Sequence, residues 1–216
     1  MPQDTPEDLC ALLGCGLSTA LGTINNEAEV KFGESVMMVG AGGLGVNLIK
    51  AASLASAYPI ISIDIYDNKK ELVESLGAHL YINCKKENIQ EAIFKAFGIK
   101  EVDVIIDTAG NRKTLEETIQ LLSGIGRYVL VGQSPPGGSI ELHNANHLFQ
   151  GEGKTIKATQ GGKFSPSTDI PRYVKLYKAG ILNIDNIITH RFSLDQINKA
   201  IDLVRNGQAS RVLIKM

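Results

Sequence analysis

The 216-residue sequence predicts an α/β protein, a doubly wound parallel sheet followed by an incomplete C-terminal piece of a second domain. Two observations carry that expectation. From residue 35 to residue 132, short apolar runs alternate with amphipathic stretches. The runs are apolar throughout rather than at every second position, the pattern of strands covered on both faces. Between the first run and the amphipathic stretch after it stands glycine-rich G-A-G-G-L-G. Right-handed crossovers then wind such a sheet in both directions.

The elements follow in order. Residues 1–30 form an entry segment, a polar start followed by short helical turns over residues 9–21 around Gly14 and Gly16, and a polar connection over residues 25–34 turns at Gly33. Residues 31–162 form the sheet domain. SVMMVG (35–40) is a buried strand, and the helix VNLIKAASLASA follows the glycines. IISIDI (60–65) is β-branched and again a buried strand. DNKKELVESLG (67–77) has an acidic start, a spaced apolar face and a terminal glycine, as an amphipathic helix should. HLYIN (79–83) is a strand and ENIQEAIFKAFG (87–98) a helix ended by glycine. VDVIIDTAG (102–110) is a strand running into a turn, residues 113–124 a helix, and RYVLVG (127–132) a strand. SPPGGS (134–139) is a loop and residues 154–160 an edge strand. Residues 163–216 supply a helix with Pro171 in its first turn, a strand over 187–194, a helix over 195–207 and a last strand over 211–216. These are too few elements to close a core of their own.

Composition removes several function classes. The formal net charge is −1, and no basic run interleaves with aromatics, which argues against a nucleic-acid partner. No stretch approaches the roughly 20 apolar residues of a membrane span. The acidic, proline-bearing N-terminus does not resemble a signal peptide. Three cysteines, Cys10, Cys15 and Cys84, lack CxxC spacing and fit a reducing cytoplasmic setting better than a disulfide framework.

Gly40, Gly42 and Gly45 spell GxGxxG, with Gly43 and Leu44 between them, after a strand and at the mouth of a helix. That context makes the motif a dinucleotide fingerprint of the Rossmann type. Gly40 permits the tight turn, Gly42 the approach of a pyrophosphate, and Gly45 the close packing of helix on strand. The helix N-terminus then offers N–H groups and a positive dipole end to the phosphates. Asp64 ends the next strand at the spacing of a ribose-binding acid. Its charge would repel a 2′-phosphate, and residues 65–67 hold no arginine, so NAD is expected rather than NADP.

With these residues in view, GCGLSTALGT, VMMVGAGGLGVNLIKAA, ISIDIYDNKKELVESLGA, VDVIIDTAG, YVLVG and ITHRFSLDQINKAIDLVRNGQASRVLI resemble the zinc-containing medium-chain alcohol dehydrogenases, in family order and over nearly the whole chain. The resemblance implies hydride transfer between NAD and an alcohol or aldehyde, with a catalytic zinc polarising the substrate oxygen. It makes Cys15 one of three protein ligands to that zinc and sets Thr19 against the nicotinamide. Asp64 and Lys69 would contact the adenosine ribose, and Arg211 the pyrophosphate. Backbone at Thr108, Ala109 and Gly110, and at Val131, Gly132 and Gln133, would line the nicotinamide side. The family's first domain, with its GHE histidine and second cysteine ligand, has no counterpart in these residues. The chain alone is therefore expected to bind NAD without turning over alcohol, and the alternative reading is a stand-alone NAD-binding sensor. The family also implies a homodimer formed through this domain.

Other residues are expected to be structural. In this chain alone Cys15 would be a small buried hydrophobe, since a single thiolate cannot complete a zinc site. His143 and His147 lie four apart but are expected on the surface, and His79 and His190 are expected to be packed on strands. By its pattern Lys69 faces solvent.

Overall fold

A computed structural model describes residues 4–149 and 153–216. The chain opens with α1 (Glu7–Leu13), α2 (Gly16–Gly22) and a π-helical turn (Thr23–Glu27). The helices are fuller than the sequence predicts because Leu9, Leu12, Leu13, Leu17 and Ala20 are buried in the main core. Six parallel strands follow: β1 (Val36–Val39), β2 (Ile60–Asp64), β3 (Leu80–Asn83), β4 (Val102–Asp107), β5 (Leu122–Leu130) and β6 (Thr155–Ala158). Their order in the sheet is β3-β2-β1-β4-β5-β6. The chain starts at the centre, winds out to β3, then crosses back to lay β4 against β1, with Val36 opposite Val104 and Val39 opposite Asp107. This is the Rossmann order, with its topological switch between β1 and β4.

The crossovers are α3 (Gly45–Leu54), α4 (Lys70–Ser75), α5 (Ile89–Phe97) and α6 (Arg112–Thr118). Successive residues of a strand point to opposite faces, and the core divides accordingly. Val36 and Met38 join one apolar cluster with α1, α2 and α3, whereas Met37 and Val39 join another with α5 and α6. Helix α5 is bounded by an Asn88 side chain that accepts the Glu91 N–H at 3.0 Å and by Gly98 in the left-handed region, a cap at each end.

One expected boundary moves. The helix predicted to reach Gly124 ends with a 3₁₀ turn (Ile119–Leu121), and β5 already begins at Leu122, which pairs with Val102. The ladder between β4 and β5 overrides the helical spacing of the apolar residues there.

A short helix α7 (Ala145–Phe149) precedes the edge strand β6, and α8 (Pro166–Lys178) follows it. β7 (His190–Ser193) and β8 (Val212–Lys215) pair in parallel as a separate two-stranded sheet, with α9 (Ile197–Arg205) between them. This tail does not stand apart: Val174, Leu182, Ile184 and Ile187 enter the same cluster as α1–α3. Among the described residues no single helix is long and apolar enough to cross a membrane.

Candidate cofactor site

A cleft of about 920 Å³ opens at the C-terminal ends of β1, β2 and β4, where ligands of doubly wound sheets bind. The glycine loop forms its floor. Gly40 has φ +97°, and a Cβ there would lie 2.7 Å from Thr108 Oγ1. A Cβ on Gly45 would lie 1.9 Å from the Gly40 carbonyl oxygen, so only glycine lets α3 start this close to β1. Around Gly42 nothing lies within 4 Å of the position a Cβ would take, the open side that a diphosphate requires. Leu44, by contrast, packs into the core beneath the loop.

Asp64 stands at the rim. Its Oδ2 accepts the Ala41 N–H at 2.6 Å, and its Oδ1 accepts the N–H groups of Ile65 at 2.6 Å and Tyr66 at 3.1 Å. The carboxylate is thereby fixed against the glycine loop and orients its remaining lone pairs. Lys69 departs from expectation: it is 4 % exposed, and its Nζ donates to Ser210 Oγ at 3.0 Å. Ser210 Oγ in turn donates to the Ala41 carbonyl at 3.3 Å. The C-terminal turn folds over the lysine and hides it, which no pattern within residues 67–77 could reveal. Burial pushes the Lys69 ammonium below the usual lysine range, against the pull of Asp64.

The same turn carries Arg211. Its guanidinium lies 3.2 Å from the position of a Cβ on Gly16 and 3.5 Å from that of a Cβ on Gly43. Three segments distant in sequence thus converge beside the glycine loop. Gly207, at φ +68°, leaves room for the Tyr66 ring, which would sit 2.5 Å from any Cβ there. Tyr66, Cys84, Gly207 and Ser210 line the cleft with Gly40, Gly42, Gly43, Asp64, Lys69, Thr108 and Ala109. Gly207 is legible in the sequence as a helix stop, but its place in the cleft follows only from the tertiary fold. Burial and the nearby Asp64 push the Cys84 thiol up.

On the far side two loops interlock. Thr108 Oγ1 donates to the Val39 carbonyl at 3.0 Å. The N–H groups of Val131 and Gly132 both donate to the Asp107 carbonyl at 2.8 Å. A Cβ on Gly132 would lie 2.6 Å from the Gly110 nitrogen. Val131, Gly132, Arg211 and Thr19 do not line the cleft itself. Thr19 is 4 % exposed, on α2, and its N–H donates to the Cys15 carbonyl at 2.8 Å.

Cys15 is exposed, which corrects the expectation of a buried thiol: it caps α2 at the surface, at the break between two helices. Among the described residues no three His, Cys, Asp or Glu side chains converge. A catalytic zinc needs three protein donors, so the residues present do not fit a zinc ion by themselves. His79, expected to be packed, is exposed; its ring accepts the Ile60 N–H at 3.1 Å and meets Tyr58 edge-on, which holds the imidazole at the surface. His190 is half-buried and stacks on Phe192. His143 is exposed in the turn before α7, so it does not share a helix with His147, whose side chain lies outside the described residues.

Comparison with known proteins agrees with this geometry. Residues 43–179 match the family model for zinc-binding dehydrogenases. The S-(hydroxymethyl)glutathione dehydrogenase of Paracoccus denitrificans is 32 % identical over 219 residues, covering 98 % of this chain and 58 % of that protein. Alcohol dehydrogenase 1 of Pisum sativum is 31 % identical over 216 residues, covering 99 % and 56 %. Among solved structures, benzyl alcohol dehydrogenase from Acinetobacter calcoaceticus superposes with a TM-score of 0.92 at 30 % identity, over 100 % of this chain and 59 % of that one. The chain thus spans a little over half the length of the curated relatives it matches. It belongs to the zinc-binding dehydrogenases, the medium-chain alcohol dehydrogenase family, and carries that family's dinucleotide-binding fold.

Proposed function

We propose that this chain binds NAD and serves as the coenzyme-binding part of an oxidoreductase that moves hydride between NAD and an alcohol or aldehyde. One observation carries the reading: the glycine loop and Asp64 face one cleft, and the loop's own Ala41 N–H fixes the carboxylate. Bound NAD supplies the nicotinamide ring that accepts or gives the hydride. Asp64 takes the ribose hydroxyls as donors, with Lys69 beneath it. Arg211 pairs with the pyrophosphate over Gly42 and Gly43. Thr19, Thr108, Ala109, Val131 and Gly132 hold the nicotinamide half. A 2′-phosphate would meet the Asp64 carboxylate as a like charge.

Calorimetric titration tests this. NADH is expected to bind at least about tenfold tighter than NADPH, and Asp64→Ala to narrow that gap. No NADH binding at millimolar concentration would overturn the reading.

In the complete enzyme Cys15 offers one thiolate to zinc, and the substrate is a small alcohol or aldehyde. No catalytic step is assigned to this chain. The alternative reading is a stand-alone NAD-binding module that senses the cofactor without chemistry. A cytoplasmic location suits the three free cysteines. A homodimer is the proposed assembly, formed along the open edge of β6.

A further inference from the structure

Asp107 is the last residue of β4 and is fully buried. Its Oδ1 accepts the N–H of Ala109 at 2.7 Å and that of Gly110 at 3.0 Å. Its main-chain carbonyl accepts the N–H groups of Val131 and Gly132, both at 2.8 Å. One residue therefore fixes both loops on the far side of the site. The loops leave each other no slack: a Cβ on Gly110 would lie 2.6 Å from the Gln133 carbonyl oxygen, and Gly110 itself sits at φ +61°. Asp107 Oδ2 has no hydrogen-bond partner among the described residues. The titratable group facing the carboxylate is the Tyr128 hydroxyl, which shares a 2.9 Å hydrogen bond with Thr118. A buried carboxylate with one idle oxygen is a costly way to fill a core position. What the site gains for that cost is the fixed position of two backbone amides.

We propose that Asp107 is a positioning residue for the nicotinamide half of the cofactor, its Oδ1 clamping residues 108–110 and its carbonyl clamping residues 131–132. The proposal rests on the NAD reading above. It accounts for a buried acid at the end of β4 that does not itself line the cleft and belongs to no zinc or ribose contact. Burial raises the Asp107 pKa, and the two N–H groups, with a smaller contribution from the Tyr128 hydroxyl, pull it back.

The test uses two probes: NADH, and ADP, which carries the adenosine and diphosphate but no nicotinamide. Wild type, Asp107→Asn and Asp107→Ala are titrated with each. Asp107→Ala is expected to lose about tenfold or more in NADH affinity, the scale of lost charge-assisted hydrogen bonds, while ADP affinity changes by less than about threefold. Asp107→Asn keeps an oxygen acceptor and is expected to stay within about threefold of wild type for both probes. NADH binding by the alanine variant at the wild-type level, or equal losses for NADH and ADP, would overturn the positioning role. If the alanine variant does not fold, amide exchange in the wild type decides. The Ala109 and Gly110 amides should exchange as slowly as those of β4, and exchange at open-loop rates would sink the proposal. A wild type that binds neither probe overturns the cofactor reading instead, a failure distinct from the other two.

Discussion

Lys69 stands in an amphipathic stretch that faces water by its own pattern, and the fold buries it beneath Ser210. Its charge must then be held in a half-dry site, and its pKa falls below the ordinary lysine value of 10.5. The sign of the stability effect follows. At pH values under the lowered pKa both folded and unfolded chains hold the proton, and the full penalty of burying the charge applies. Between the lowered pKa and 10.5 the folded protein has released a proton the unfolded chain still binds, so this site's contribution to stability rises with pH. Lys69→Met is expected to raise the melting temperature near about pH 7, with an advantage that shrinks toward about pH 10. Thermal melts of both proteins across that range check it, and an advantage that grows with pH would contradict it. Asp64 and the glycines could be picked out from spacing because the motif that carries them is local: a strand end, a turn, a helix start. Lys69, Arg211 and Gly207 owe their surroundings to chain more than about a hundred residues away in sequence, which periodicity does not encode. Cys15 illustrates the converse, since its exposure follows from a helix break at Gly14 that composition alone reads as buried.

At the level of elements, the alternation of apolar runs and amphipathic stretches was enough to give all six strands of the large sheet. What it missed was the start of β5, where pairing with β4 begins inside an apparent helix. Strand β6 is the element whose consequences extend beyond the chain. Among the described residues it pairs with β5 alone, leaving its other edge open, and Ile156 is exposed. The Thr159 N–H donates to Leu130, toward β5. Strand alternation then turns the Lys157 N–H the same way and those of Ile156 and Ala158 outward. An outward row of unpaired donors is a template for a second strand. The protein is expected to be a dimer by light scattering, and Ile156→Pro to be a monomer that still binds NADH. Proline at 156 removes an outward donor and leaves the ladder to β5 untouched. A wild-type monomer, or a dimeric proline variant, would rule out this edge as the contact.

Across the whole molecule, burial is uneven. One face of the large sheet shares a continuous core with α1–α3 and the inner side of the tail. The outer side of the tail has no such cover. Leu194, Ile197, Ile201 and Val204 are all exposed and recur every three or four residues, running from the 3₁₀ turn before α9 along one side of that helix. Beside them the β7–β8 sheet has only two strands, fewer than an independently stable sheet needs. Such a stripe adds less to the stability of this chain than a buried face would, because 39–50 % of each residue stays exposed, and it offers a surface for association. Val204 also lines the cleft, so it is left out of the test. Replacing Ile197 and Ile201 by lysine and glutamate, a pair spaced four apart on the helix, should change folding stability by no more than about 0.5 kcal/mol, as at any exposed site. The same variant should bind less of a hydrophobic dye such as ANS and stay soluble at higher concentration. If instead the double variant melts several degrees lower, the stripe is already packed against this chain in solution, and the tail folds more tightly onto the sheet domain than its exposed side chains indicate.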